Sequence, residues 1–250
     1  MSLAWFRFYE ELNDFLPSGK RKELIPYTFN GNPSVKDAIE ALGIPHVEVD
    51  LILVNSLSKD FSYKIRDGDS VSVYPVFESI DISAVTRLRQ KPLRNLKFIS
   101  DVHLGKLTRY LRLCGFDTYF RPDCSDKEII AIALTDNRII LTRVKELLKN
   151  KQITHGYWMR SQSSDEQLKE VLIRFDMKNM VSLFTRCMEC NGILTFVSKE
   201  EISEKLLPKT RQYYQNFKKC PDCERIYWDG SHYKRMKGHI EKLIRELKYK

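Results

Sequence analysis

The sequence predicts an α/β protein of three units in series: an N-terminal β-grasp domain, a parallel-sheet α/β domain and a small cysteine-bearing ribbon toward the C-terminus. Three observations predict this. Residues 1–81 read as several alternating apolar strands around one short helix. From residue 96 onward, strands and helices alternate one for one, the pattern of a parallel sheet covered on both faces. Four of the six cysteines, Cys187, Cys190, Cys220 and Cys223, then fall in two C-x-x-C pairs.

In the first unit, "LAWFRFYEELNDFL" opens as an alternating apolar strand and "KELIPYTF" supplies a second. "SVKDAIEALGIP" is a short helix, with Ser34 as its cap, Ala38, Ile39 and Leu42 facing inward and Gly43 ending it. "VEVDLILVN" and "DSVSVYPVF" are further strands, the last preceded by the turn "RDGD". Residues 82–95, polar and basic with one proline, read as a linker.

The second unit spans 96–184. Strand "LKFIS" leads to helix "VHLGKLTRYLRLCG", strand "TYF" to helix "SDKEIIAIALTD", strand "RIILT" to helix "KELLKN", and strand "HGYWM" to helix "SDEQLKEVLIRF". Ligands of such sheets gather beyond the carboxyl ends of the strands. The third unit, 185–232, holds the cysteine pairs, each followed by a strand-like run, with an insertion between Glu200 and Phe217. Residues 233–250 form a basic amphipathic helix.

Each C-x-x-C brings two thiolates onto one tight turn, half of a tetrahedral zinc site, and four sulfur ligands make such a metal structural. The alternative is four unliganded reduced thiols. Nothing in the sequence indicates secretion, so metal is favoured over disulfides. No apolar run spans a membrane and the N-terminus lacks a signal peptide's apolar core, so a soluble cytoplasmic protein is expected.

Charge separates the halves. Residues 1–82 carry 8 Lys+Arg against 13 Asp+Glu, whereas 83–250 carry 34 against 20. That contrast points to a polyanionic partner for the second part, nucleic acid being the commonest.

Asp101 follows an apolar strand, where it is either an oxygen ligand for Mg²⁺ or Mn²⁺ or the N-cap of the next helix. Asp126 and Glu128 open another helix, and "SDKE" also fits a capping box. Asp123 lies in the loop before it. Lys106, Arg109 and Arg112 recur every three residues on the first helix, as a phosphate-facing or simply solvated face. "YWDGSHYKRMKGH" mixes aromatic and basic residues, among them His232, Lys234 and Arg235, the composition of an RNA-contact surface. His232 is equally readable as a structural histidine.

Across "DVHLGKLTRYLRLCGFDTYF", "SDKEIIAIA", "RIILTR", "CMEC", "CPDC" and "IYWDGSH", the sequence closely resembles the Mut-seven C-terminal RNase family. "FRFYEELNDFLP", "SVKDAIEALGIPHVEVDLILVN" and "DGDSVSVYP" resemble the ubiquitin-like domain that often precedes it. The resemblance implies a PIN-like fold with a zinc ribbon, acting as a metal-dependent ribonuclease. It also implies Asp101 and Asp126 as ligands of a catalytic Mg²⁺ or Mn²⁺, Glu128 as an assisting acid, and RNA as partner. Lys106, Arg109, Arg112 and Arg143 would then position phosphate.

The family's third motif usually reads Thr-Arg-Asp, and here Val144 stands at the Asp. Valine ligates no metal, so a weakened site, or RNA binding without cleavage, is expected. The ubiquitin-like part resembles sulfur carriers, which need a Gly-Gly terminus. No adjacent glycines occur in the sequence, so an intramolecular or partner-docking role is expected.

Overall fold

The computed structural model describes residues 1–75, 86, 88 and 96–247. The expected linker, 82–95, lies outside the described residues except for Thr86 and Leu88. Two compact units result: Met1–Asn95 with Val144–Trp158, and Leu96–Arg143 with Met159–Lys250.

In the first unit, β1 (Ser2–Phe8), β2 (Ile25–Phe29), β3 (Val49–Val54), β4 (Leu57–Lys59) and β5 (Ser70–Pro75) form one mixed sheet in the order β2-β1-β5-β3-β4. β1 runs parallel to β5 and antiparallel to β2, the pairing of a β-grasp sheet. Helix α1 (Val35–Ala41) starts at Ser34, whose hydroxyl accepts the Asp37 N–H while Asp37 reaches back, a full capping box. Its Val35, Ala38 and Ile39 share one core with Ala4, Phe6 and Phe8 of β1.

Two local expectations change here. The alternation of β1 stops at Phe8, and a 3-10 helix, Glu10–Phe15, buries Leu12 and Phe15 at a helical spacing. Strand β4 arises because Asn55 and Ser56 both take positive φ, 49° and 68°, folding the chain back as a hairpin.

The second unit begins with β6 (Lys97–Ser100), α2 (Gly105–Leu113), β7 (Asp117–Tyr119), α3 (Asp126–Asp136) and β8 (Ile139–Thr142). Strands β7, β6 and β8 pair in parallel in that order. The first strand of this sheet in sequence therefore lies between the second and third, which puts the topological switch point between the carboxyl ends of β6 and β8. The expected helix over 102–115 is split, with a 3-10 turn, Val102–Leu104, ahead of α2.

The next elements, α4 (Lys145–Leu148) and β9 (Gly156–Trp158), belong to the first unit. There the Trp158 N–H donates to Glu48 Oε1 at 2.7 Å, and Lys145 Nζ lies 4.0 Å from the centre of the Trp158 ring. His46 Nε2 meets the Ile153 carbonyl at 2.9 Å.

Helix α5 (Ser164–Arg174) returns to the second unit and packs on α2. The ribbon that follows has three antiparallel strands, β10 (Thr195–Val197), β11 (Phe217–Lys219) and β12 (Ile226–Trp228). The insertion between β10 and β11 contains α6 (Lys199–Ile202) and α7 (Pro208–Tyr213). Helix α8 (Ser231–Glu246) closes the chain against α5. Among the described residues, no helix is long and apolar enough to cross a membrane.

Candidate functional site

Asp101 sits at the switch point, 3% exposed. Its Oδ1 accepts the His103 N–H at 2.8 Å, so it does cap the 3-10 turn. Its Oδ2 accepts the Thr142 hydroxyl at 2.5 Å and the Arg143 N–H at 2.7 Å, tying the end of β6 to the end of β8. A carboxylate has about four lone-pair sites, so one on Oδ1 remains beyond these three bonds. Thr142 thus orients the acid at this edge.

The other acids are turned to different tasks. Ser125 and Glu128 complete the capping box of α3, with Glu128 Oε2 accepting both the Ser125 N–H and its hydroxyl. Oε1 pairs with Arg121, which also holds Asp123. The Ser125 backbone and hydroxyl, together with Arg121, pull the Glu128 carboxyl down to about 2. Asp126 is exposed, one residue past the cap. Val144 occupies the N-cap position of α4, extended at φ −101°, ψ 105° and with no capping side chain. Among the described residues, no group of three acids or histidines converges to hold an ion at this edge.

The basic face of α2 is narrower than expected. Lys106 is exposed, 5.6 Å from the Tyr110 ring, and Arg109 is exposed with its Nη2 2.8 Å from Glu189 Oε1. Arg112 is a correction: it is 3% exposed and donates to the backbone carbonyls of Thr118, Met188 and Glu189, leaving no face for phosphate. At 3.6 residues per turn, each step of three drifts by about 60°, so Arg112 lies about 120° from Lys106 and points inward. Arg143 donates through Nη1 to the Ser161 carbonyl at 3.0 Å. His232, Lys234 and Arg235 are exposed in the first turns of α8.

The cysteine pairs converge. The sulfurs of Cys187, Cys190, Cys220 and Cys223 all lie within 4.8 Å of one another, with 3.5 Å for Cys187–Cys223 and 3.3 Å for Cys190–Cys220. A tetrahedral ion with ~2.3 Å metal–sulfur bonds sets its sulfurs ~3.8 Å apart, so the four fit a single metal. The two knuckles share one backbone pattern. Cys187 N donates to Gly192 O and Asn191 N to Cys187 O; Cys220 N donates to Arg225 O and Glu224 N to Cys220 O. The fifth residue of each is left-handed, Asn191 at φ 75° and Glu224 at φ 61°.

Gly192 is required by crowding rather than by its backbone angle. A Cβ there would meet Cys220 Sγ at 2.9 Å and collide with Asp222. Tyr227 places its hydroxyl 3.0 Å from Cys187 Sγ. Burial opposes a charged Cys187, but Tyr227 and nearby backbone N–H groups outweigh it and bring the thiol down to about 7.

Residues 96–240 match the Mut7-C RNAse domain, and residues 1–81 match the Mut7-C ubiquitin domain that precedes it. The chain belongs to the Mut7-C RNase domain family. No curated protein and no solved structure matches it. Within this Mut7-C framework the sequence reading missed Thr142 and Arg121, and it left Tyr227 as either an RNA-contact aromatic or ribbon core. Of the two missed, only Thr142 carried a signal in advance, as the polar residue that ends an apolar strand.

Proposed function

We propose that this chain is an RNA-directed member of its family, a metal-dependent ribonuclease whose cutting site is weakened at Val144. The observation that supports it is Asp101, locked at the β6/β8 switch point by Thr142 and Arg143. Asp101 and Asp126 would hold Mg²⁺ or Mn²⁺, and such an ion supplies hydroxide near neutral pH. Lys106, Arg109 and Arg143 attract the phosphodiester, and His232, Lys234 and Arg235 lengthen the track. Cys187, Cys190, Cys220 and Cys223 would hold zinc in a purely structural role, since four sulfurs leave no open position. The β-grasp unit serves a protein partner.

A second reading, RNA binding without cleavage, is favoured by Val144 together with the three protein donors on Asp101. One assay separates them: RNA incubated with Mg²⁺ or Mn²⁺ and the wild type, Asp126→Asn or Val144→Asp. Asp126 is exposed, so its substitution tests chemistry without unfolding the core. Slow cleavage by the wild type, abolished in Asp126→Asn and raised in Val144→Asp, is expected. Salt-sensitive binding with no cleavage by the wild type would establish the second reading instead.

A further inference from the structure

We propose that the cleft between the ribbon, α7 and the start of α8 binds an unpaired nucleotide of single-stranded RNA. This rests on the RNA reading above and adds where and how a base is held. The cleft measures about 420 Å³ and is walled by Tyr214, Tyr227, Trp228 and Tyr233, with Gly230 and His232 at its rim. That volume is in the ~300–1,000 Å³ range of clefts that enclose a small planar ligand. A second cleft of about 300 Å³ shares Tyr227, Trp228 and Tyr233 and adds Phe196, which is 81% exposed.

These rings are held in place before any ligand arrives. Phe184 stacks under Tyr233 at 3.9 Å, and Tyr227 is pinned by the Met188 N–H at 3.3 Å and by Cys187. A Cβ at position 230 would come within 2.7 Å of Trp228 Nε1, so glycine is what lets the indole lie against the start of α8. Among the described residues, neither the Trp228 indole N–H nor the Tyr214 hydroxyl has a hydrogen-bond partner. Both are free to meet a base edge.

Charge selects the occupant. Lys218 lines the second cleft together with Asp229, and Lys234 and Arg235 are exposed in the first turns of α8 with no ion pair among the described residues, on a part of the chain with 34 basic against 20 acidic residues. An anionic backbone gains from them, whereas a neutral proline-rich peptide would use the rings alone. A duplex keeps its bases stacked, so only unpaired nucleotides reach the aromatic faces.

The test uses the full metal-loaded chain and a labelled oligouridine, with a duplex of equal length at the same salt. Anisotropy reads binding, and tryptophan quenching reads occupancy of the cleft. Single strands should bind more tightly than the duplex. Trp228→Phe should remove the quenching, which separates Trp228 from Trp5 and Trp158.

Trp228→Ala and Phe196→Ala should each weaken single-strand binding about 5- to 100-fold and leave duplex binding unchanged. Phe196 is too exposed for its loss to unfold the ribbon, so that variant guards against a misfolded Trp228→Ala. If oligouridine binds but both alanine variants bind it as well as wild type, the cleft is not the site, and the RNA reading stands. If neither RNA form binds the wild type, the RNA reading fails and the inference with it. Quenching by a proline-rich peptide but not by oligouridine would also overturn the proposal.

Discussion

The cysteine centre and the acids Asp101 and Glu128 lie in the same unit, yet folding completes the one and sets the others to separate tasks. Each half of the cysteine centre is a local turn whose backbone bonds aim two sulfurs at a common point. The ribbon need only bring the two turns together. The acids come from separate strand and helix ends. Asp101 is engaged by three protein donors and Glu128 caps its own helix. A site assembled from local pairs needs only two turns to meet, whereas one assembled from strand and helix ends depends on several separate segments.

The strongest way to break the comparison is to remove one sulfur. Cys220→Ser should lose bound metal and melt the ribbon, since structural zinc contributes on the order of 10 kcal/mol in small zinc domains. Metal content and a thermal melt read it, and an unchanged melt would mean that the ribbon stands without metal.

Arg112→Met comes next. It leaves the carbonyls of Thr118, Met188 and Glu189 without their buried donor and should cost about 3 kcal/mol in urea unfolding. Arg109→Ala, one turn away and exposed, should cost under about 1 kcal/mol while lowering the salt dependence of RNA binding by about one ion. Equal costs for the two would erase the distinction between buried and exposed faces of α2.

Thr142→Val removes the hydroxyl from Asp101 and should destabilise by about 1–2 kcal/mol, again by urea. Val144→Asp should instead stabilise by about 1 kcal/mol through an N-cap on α4, whether or not it restores cleavage.

The smallest effect is a pH response at α3. Glu128 titrates near 2 rather than its ordinary 4.5, so its cap is fully made above 4.5 and is lost as pH falls through 2. Amide protection at the first turn of α3, taken relative to the intrinsic exchange rate, should fall over that interval, and Glu128→Gln should abolish the pH dependence.

Much of the fold was legible because its signals are local. The Ser34 and Ser125 caps, the alternation in β1 and the strand–helix rhythm after residue 96 each depend on neighbours within a few residues. β11, α6 and α7 were not anticipated, because short amphipathic pieces inside an insertion carry too little periodicity to declare themselves. The grouping of 144–158 with the β-grasp residues had no sequence signal at all, since it depends on contacts such as Glu48 with Trp158 across more than a hundred positions.

The sequence by itself determined the cysteine set, the strand–helix alternation after residue 96 and the missing acid at position 144, because residue identity and spacing suffice for all three. Only the tertiary structure decided that Arg112 is a buried clasp, that Thr142 holds Asp101, and that scattered aromatic residues line one cleft beside α8. Burial and hydrogen bonding between distant segments set those roles, and a carboxylate or guanidinium reads the same in sequence whether it faces solvent or a backbone carbonyl.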